Sequence, residues 1–327
     1  MRPRGYSSGT MSDDYTFAME LLLGDHPSLG DVQQAAALLE KASSEGHAEA
    51  SARCALLDAL GSARPPDWDR ALDFMALAAQ QGSRPAQEQM LLLADNQVDP
   101  VVPDGVGPEY WTSLRSSIPL ADRMRPGEKL SLSETPRIRV IKGFATPAEC
   151  RWIVALARPR LAPAPVFDKV TGEQTHDSTR DNSFVPLPLG EMNLVTEVLR
   201  TRISAATNLP LPLFEPSQVL HYATGERFKP HHDFLDPANS AYHETLARFG
   251  QRIATFLIYL NGGYRGGETS FPAIGLNYRA DEGDALFFAN VTRDGAPDPQ
   301  TLHAGLPPTS GEKWVFSQWI RDRFPGQ

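Results

Sequence analysis

An internal repeat restricts what the first third of this 327-residue chain can fold into. The segment DVQQAAALLEKASSEGHAEASARCALL, which begins at Asp31, matches DWDRALDFMALAAQQGSRPAQEQMLLL, which begins at Asp67, with a period of 36 residues. Each unit has a glycine in its middle, Gly46 or Gly82, small alanines where two helices must approach closely, and an Asp in a position suited to an N-cap. The repeat therefore predicts helix, glycine turn, helix, and the preceding YTFAMELLLG predicts the second helix of an incomplete unit.

The repeat resembles the Sel1-like branch of the tetratricopeptide superfamily. We predict a Sel1-like helical repeat domain over residues 11–95, after a disordered tail at residues 1–10. Each repeat of such a solenoid buries one face on its neighbours and leaves another face free. The free face either captures a partner protein or packs on the rest of the chain, and the sequence does not decide between these two roles.

Composition and charge exclude several classes of protein. The chain has 41% hydrophobic and 22% charged residues, which is ordinary for a soluble protein. Its formal net charge of -9 and pI near 5.4 disfavour a nucleic-acid partner. Cys54 and Cys150 provide neither a disulfide framework nor a metal-type spacing. The sequence has no apolar run long enough for a membrane span, so we predict a cytoplasmic protein without a membrane partner.

The chain changes character after the repeat. Residues 96–135 mix proline, glycine and polar residues without periodicity, which predicts a linker. PRIRVIKGF then predicts a strand, TPAECRWIVALAR a helix capped by Thr146, and EMNLVTEVLRTRISAAT a second helix. Four later runs of β type are separated by Gly and Pro turns: SQVLHYA, RIATFLIYLN, DALFFANV and KWVFSQWI. This order predicts antiparallel sheets in a sandwich or barrel, with helical support.

The stretch PHHDF at residues 230–234 holds the candidate chemistry. Alternate side chains of an extended strand share a face, so His231 and Asp233 point the same way while His232 points to the other side. One imidazole and one carboxylate are two of the three ligands in a 2-His-1-carboxylate metal site. The third ligand must come from the remaining histidines, among which His303 lies in TLHAGLPP, a short apolar segment after DALFFANV.

Four linked blocks carry a second resemblance. In order, spacing and residue type, HYATGERFKPHHDF, RIATFLIYLNGGYRGGETSFP, DEGDALFFAN and TLHAGLPPTSGEKWVFSQWIR resemble the prolyl 4-hydroxylase family of Fe(II)/2-oxoglutarate dioxygenases. The likeness runs from about Pro136 to Arg321. It implies an α+β catalytic domain over residues 136–327, a double-stranded β-helix (jelly roll) with supporting helices.

The resemblance also implies roles for individual residues. His231, Asp233 and His303 match the three iron ligands, and Lys313 matches the residue that pairs with the distal carboxylate of 2-oxoglutarate. The positions that match the walls of the cosubstrate pocket are Tyr222, Thr255, Tyr259, Thr269 and Trp319.

Two further positions concern the substrate. Arg252 matches a residue that holds the backbone of a bound peptide. Phe228 stands three residues before the first iron ligand, where the family commonly has tyrosine, and this departure puts the usual peptidyl-proline pose in question.

The implied activity is hydroxylation of an unactivated C–H bond with Fe(II), 2-oxoglutarate and O2, and we expect ascorbate to be needed as well. Asp233 favours hydroxylation over halogenation, because halogenating relatives of this fold lack that carboxylate. A prolyl residue in a peptide or protein is the expected substrate, and a free (cyclic) amino acid is the second candidate. The sequence also allows a non-catalytic Sel1-repeat binding protein with a degenerate barrel, and it allows Zn or Mn in the same triad.

Overall fold

A computed structural model describes residues 10–24, 27–95, 99–164, 166–167, 174–175 and 180–324. The chain divides into two compact units. The helical unit comprises Met1–Arg123 and Leu189–Val198, and the second unit comprises Met124–Pro188 and Leu199–Gln327. None of the helices in these described ranges combines the length and the apolar character needed to cross a membrane.

The helical unit contains the predicted helix pairs. Its helices are α1 (Thr10–Leu23), α2 (Leu29–Ser44), α3 (Ala48–Leu60), α4 (Trp68–Gln80), α5 (Arg84–Asp95), α6 (Pro108–Ser117) and α7 (Leu120–Arg123). Gly46 and Gly82 follow α2 and α4 with φ angles of +96° and +94°, a conformation that suits glycine. Alanines that are related by the 36-residue period, such as Ala42 and Ala78, are fully buried. The helix–glycine–helix prediction is confirmed.

The capping prediction is confirmed for only one of the two repeats. Asp67 is the N-cap of α4, and its side chain accepts a hydrogen bond from the backbone N–H of Arg70. In α2 the N-cap is Ser28, and Asp31 lies three residues further on. There the Asp31 carboxylate accepts from the backbone N–H of Ser28 at 2.8 Å, which completes a capping box. The prediction of Asp31 as an N-cap was wrong because serine competes well for that position.

Residues 99–135, the described part of the predicted linker, are not irregular throughout. The described part of this segment contains α6, α7 and the strand β1 (Leu130–Glu134). Pro108 stands at the first position of α6, where proline starts a helix rather than breaking it. The proline content therefore suggested irregular structure where a helix begins.

The second unit is dominated by strands. It contains the helices α8 (Pro147–Ala157) and α10 (His243–Phe249) and the part of α9 (Leu194–Thr207) that follows Val198. The strands after β1 are β2 (Arg137–Ile141), β3 (Ala162–Pro163), β4 (Val166–Phe167), β5 (Gln174–Thr175), β6 (Ser183–Leu187), β7 (Ser217–Tyr222), β8 (Phe228–His231), β9 (Arg252–Tyr259), β10 (Arg265–Gly266), β11 (Thr269–Phe271), β12 (Leu276–Tyr278), β13 (Ala285–Ala289), β14 (His303–Gly305), β15 (Pro308–Ser310) and β16 (Lys313–Arg321).

Two antiparallel sheets hold the core of this unit. The large sheet has the order β1-β2-β13-β9-β16-β7-β6-β3, and the small sheet has the order β12-β11-β14-β8. Phe256 and Phe316 pack in one cluster with Ile153 of α8, whereas Leu257 packs in another cluster with Phe271 of the small sheet. Neighbouring residues of one strand thus face opposite layers. The prediction of antiparallel sheets with supporting helices is confirmed.

The glycine-rich segment GGYRGGE does not form the hairpin turn that its composition favours. The strands on either side of it, β9 and β11, belong to different sheets, so this segment carries the chain from the large sheet to the small one. Gly267 has a φ of +70°, and a Cβ added there would lie 2.9 Å from the ring of Tyr264 and 3.4 Å from Cδ of Lys313. A glycine is required at this position because its neighbours approach so closely.

Candidate active site

Strand pairing brings the two candidate histidine ligands together. His231 ends β8 and His303 begins β14, and these residues lie opposite each other in the small sheet. Their ring centroids are 4.3 Å apart. Asp233 follows two residues after the end of β8. The candidate ligand atoms of the three residues all lie within 4.8 Å of one another, and this group is the one cluster of metal-ligating residues found in the described ranges.

Backbone carbonyls fix the orientation of both imidazole rings. Nδ1 of His231 lies 2.9 Å from the carbonyl oxygen of Lys229, and Nδ1 of His303 lies 3.0 Å from that of Thr301. When each Nδ1–H donates to its carbonyl, each Nε2 keeps its lone pair for a metal. The two Nε2 atoms lie 3.6 and 3.5 Å from carboxylate oxygens of Asp233.

The protonation states also suit a cation. Burial lowers the pKa of His303 to about 4, with His231 acting in the same direction, so the imidazole is neutral at physiological pH. Burial opposes ionisation of Asp233, but His303, His231 and the hydrogen bond from Thr255 together hold the pKa of its carboxyl below its usual value. Two imidazoles and one carboxylate are the donor set that non-haem Fe(II) uses, and the triad fits this metal.

The adjacent His232 does not belong to the donor set. Its Nε2 lies 3.1 Å from the carbonyl oxygen of Pro299, and its ring packs 4.5 Å from that of Phe234. This arrangement agrees with the expectation that His232 faces away from the metal.

A cavity between the sheets joins the triad to most of the predicted pocket residues. Its walls include the triad and five residues singled out from the sequence: Tyr222, Phe228, Thr269, Lys313 and Trp319. Sequence reasoning missed Arg180, which also lines the cavity and places its guanidinium carbon 4.6 Å above the ring of Phe228. No motif marks this arginine, since it precedes a short strand in a polar region.

Lys313 is the unusual charge in this cavity. Its side chain is buried, with 2% of the residue exposed, and its Nζ lies 5.2 Å from the ring centroid of Tyr222 and 5.4 Å from that of Tyr259. We find no ion-pair partner for it within the described residues. Burial lowers the pKa of Lys313 to about 7, because the interior disfavours the ammonium. Such a group gains most from an anion that enters the cavity.

Thr255 and Tyr259 use their hydroxyls elsewhere. Thr255 donates to Oδ2 of Asp233 at 2.7 Å, and the Tyr259 hydroxyl lies 2.7 Å from Oγ1 of Thr269. Neither residue is among those that line the cavity. Their positions in the large sheet place them behind the lining residues, in support of Asp233 and Thr269.

Arg252 lies in an ion pair. Its Nε and Nη2 donate to the two carboxylate oxygens of Glu215 at 2.6 and 2.9 Å, and its guanidinium stacks 3.6 Å above the ring of Trp319. Glu215 also accepts from Nε of Arg321 at 2.7 Å. Arg252 is not among the residues that line the cavity, but it stacks on Trp319, which is.

Known proteins are similar to this chain. The family model described as the 2OG-Fe(II) oxygenase superfamily matches residues 217–321. Probable prolyl 4-hydroxylase 10 of Arabidopsis thaliana is 35% identical over 210 residues, which cover 58% of this chain and 70% of that protein. Prolyl 4-hydroxylase 1 of the same plant is 35% identical over 207 residues, which cover 59% and 71%. A viral collagen prolyl hydroxylase from Paramecium bursaria Chlorella virus-1, solved as a 2OG complex, is 27% identical, with a TM-score of 0.43 and coverage of 56% of this chain and 94% of that chain.

The triad and the matching family model define a 2-oxoglutarate-dependent Fe(II) oxygenase, an enzyme that uses Fe(II), 2-oxoglutarate and O2. Relatives above 30% identity align over more than two thirds of their own length. Within this class of hydroxylases, the chain belongs to the prolyl 4-hydroxylase family.

Proposed function

We propose that this enzyme hydroxylates a prolyl residue within a peptide or protein. The names of its relatives, which are prolyl 4-hydroxylases, support this substrate class. Fe(II) held by His231, Asp233 and His303 supplies the oxidising chemistry, with 2-oxoglutarate and dioxygen as cosubstrates. The observation that supports binding of 2-oxoglutarate is the buried Lys313 side chain in the same cavity as the triad.

Lys313 is proposed to hold the distal carboxylate of 2-oxoglutarate. A buried charge without an ion pair is costly, and a carboxylate ligand offsets that cost through a charge-assisted hydrogen bond. Burial raises the pKa of Tyr222 to about 12, so its phenol remains neutral and able to donate a hydrogen bond. Tyr222 and Thr269 both line the cavity, where their hydroxyls add donors for an oxygen-rich ligand.

Apolar side chains form part of the cavity wall beside the triad. Leu220, Leu257 and Val315 line the cavity together with the ring of Trp319. Water excluded by these side chains cannot screen the attraction between Lys313 and a carboxylate, which strengthens binding. We propose that these side chains orient the cosubstrate and limit the access of water to it.

Phe228 and Arg252 are proposed to shape the substrate site. The ring of Phe228 stacks on His231 with centroids 3.6 Å apart and an interplanar angle of 16°. It presents no hydroxyl where the family commonly has tyrosine, so the substrate meets an apolar edge there. The ion pair with Glu215 uses Nε and Nη2 of Arg252, and we propose that Nη1 binds a carbonyl of the peptide backbone.

We further propose that the strands of the second unit form a double-stranded β-helix and that α2–α5 are Sel1-like repeats. Two antiparallel sheets with a shared core support the first assignment, and the 36-residue period with its paired glycine turns supports the second. The repeats either recruit a protein substrate or only support the fold. Comparing the turnover of full-length protein substrates with that of short prolyl peptides by the intact chain distinguishes these two roles.

The substrate proposal is tested by mass spectrometry. Purified full-length enzyme is incubated with Fe(II), 2-oxoglutarate and ascorbate and with matched panels of prolyl peptides and free amino acids, and a His303→Ala variant serves as the control. Addition of one oxygen atom to prolyl peptides alone supports the proposal. Oxidation confined to free amino acids contradicts the peptide assignment, and no succinate above the control contradicts the catalytic one. Omitting ascorbate tests whether repeated turnover needs it.

A further inference from the structure

Behind the triad, a chain of two buried polar side chains ends on its carboxylate. Nδ2 of Asn290 donates to Oγ1 of Thr255 at 3.0 Å, and Oγ1 of Thr255 donates to Oδ2 of Asp233 at 2.7 Å. Asn290 is 0% exposed and Thr255 is 1% exposed. Because water does not reach these groups, the direction of each hydrogen bond depends on the side chains themselves.

The amide of Asn290 determines which way the threonine hydroxyl points. A hydroxyl has one hydrogen to donate and two lone pairs to accept with. When the amide N–H occupies a lone pair of Thr255, the single hydroxyl hydrogen is directed to Asp233. If the amide were turned by 180°, its oxygen would compete with Asp233 for that hydrogen, and the carboxylate would lose a donor.

A second observation agrees with this orientation. Oδ1 of Asn290 is buried and has no hydrogen-bond partner among the described residues. A buried amide oxygen without a partner is destabilising, so Asn290 is not placed to satisfy its own hydrogen bonds. The orientation that serves Thr255 is kept although it leaves this oxygen without a donor.

The backbone holds Asn290 firmly enough for this role. Asn290 directly follows β13, its N–H donates to the carbonyl of Ile253 at 2.8 Å, and its own carbonyl accepts from the N–H of Asp298 at 3.0 Å. Thr255 lies in the adjacent strand β9 and pairs in register with Phe288. The two side chains are therefore held by neighbouring, hydrogen-bonded strands of the large sheet.

We infer that Asn290 and Thr255 are positioning residues that hold the Asp233 carboxylate in its metal-binding orientation. Thr255 anchors one carboxylate oxygen, and Asn290 acts through Thr255 by ensuring that the hydroxyl donates. Hydrogen bonds to metal-ligating carboxylates raise metal affinity because the ligand does not have to be ordered when the metal arrives. The inference rests on the proposed metal role of the triad.

Mn(II) binding to the full-length protein, measured by isothermal titration calorimetry, tests the inference without requiring turnover. Thr255→Val removes the hydroxyl at nearly constant volume and is expected to raise the dissociation constant about 10- to 100-fold, whereas Thr255→Ser keeps the hydroxyl and is expected to stay within about threefold of wild type. Asn290→Ala is expected to weaken Mn(II) binding by about three- to tenfold in the wild-type background. In the Thr255→Val background it is expected to weaken binding by less than about twofold, because Asn290 affects Asp233 only by orienting the Thr255 hydroxyl, which that variant lacks.

Thr196→Val is the matched control. Thr196 is also buried, and its hydroxyl donates to the carbonyl of Asn193 at 2.8 Å, but it lies in α9 and is not part of the site. This variant is expected to lower the melting temperature without changing Mn(II) affinity. If Thr255→Val does not fold, Thr255→Ala is used instead. It also removes the hydroxyl, and it takes the place of Thr255→Val in the comparison with Asn290→Ala.

Two results would overturn the inference. One is unchanged Mn(II) affinity in Asn290→Ala or in Thr255→Val, and the other is an Asn290→Ala effect of equal size in both backgrounds. His303→Ala separates this failure from a failure of the proposed function. If wild type binds Mn(II) in a manner that needs His303, the triad is the metal site and only the positioning role is lost; if binding does not need His303, both are wrong.

Discussion

Raising the pH above 7 should weaken binding of 2-oxoglutarate, because the group proposed to hold its distal carboxylate loses its proton there. The pKa of Lys313 is lowered to about 7 by burial in the free protein. A bound carboxylate favours the ammonium and raises this pKa again. Above pH 7, therefore, binding must take up a proton, and affinity falls as pH rises.

The size of the effect follows from the same pKa. About half of the free protein carries the Lys313 ammonium at pH 7, and about one molecule in a hundred carries it at pH 9, so the dissociation constant should rise about 50-fold over this range. Both carboxylates of the cosubstrate are already ionised there and do not contribute. A divalent metal at the triad acts in the same direction, since its charge also disfavours the ammonium.

Calorimetric titration of 2-oxoglutarate into anaerobic, Mn(II)-loaded enzyme measures this effect. Repeating the titration in buffers with different heats of ionisation counts the protons taken up, which should approach one per ligand at pH 9. In Lys313→Arg the guanidinium remains charged throughout this range, so the pH dependence should disappear. An affinity that is constant from pH 7 to pH 9, without proton uptake, would refute the reasoning.

Three other perturbations have defined outcomes. Lys313→Met should abolish 2-oxoglutarate binding yet stabilise the ligand-free protein by about 1–4 kcal/mol in urea unfolding, because it replaces a buried cation with an apolar chain of similar length; a destabilised variant would contradict this. Arg202→Ala should lower the free energy of unfolding by about 3–5 kcal/mol, because it leaves the buried Glu149 carboxylate without the arginine that donates to it at 2.8 and 3.0 Å; a loss below about 1 kcal/mol would count against that account. Gly267→Ala should lower the free energy of unfolding by about 1–3 kcal/mol and weaken 2-oxoglutarate binding, since the residue has a positive φ and the new Cβ would clash with Tyr264. An unchanged melting temperature and an unchanged affinity would show that the segment accommodates the Cβ without strain.

Local chemical rules predicted much of the fold. Thr146 caps α8 with Pro147 at its first turn, as the sequence indicates, because capping depends on a few neighbouring residues. The 36-residue repeat also predicted the glycine turns of the helical unit, because Gly46 and Gly82 occupy the same position in the two repeat units. The composition of GGYRGGE after β9 favours a hairpin turn that does not form, since whether a glycine-rich turn joins two paired strands or crosses between sheets depends on distant strand pairing.

The site shows the same division between local and distant information. His231 and Asp233 are two residues apart, so their common role is visible in the sequence. The partner of Thr255 is not, because the register of β9 against β13 brings Asn290 to it from 35 positions further along the chain. Arg180 was missed for a similar reason, since it lies beside the cavity in a bridge to Phe228, a residue distant in the sequence.

Transfer of oxygen from dioxygen to a prolyl peptide tests the central claim most directly. Wild-type enzyme and the His303→Ala variant are supplied with isotopically heavy dioxygen, Fe(II) and 2-oxoglutarate, and peptide and succinate are analysed by mass spectrometry. The account predicts one heavy oxygen atom on the prolyl residue for each succinate formed by the wild type, and neither product from the variant. Unlabelled hydroxyproline, or equal product from both proteins, would contradict it.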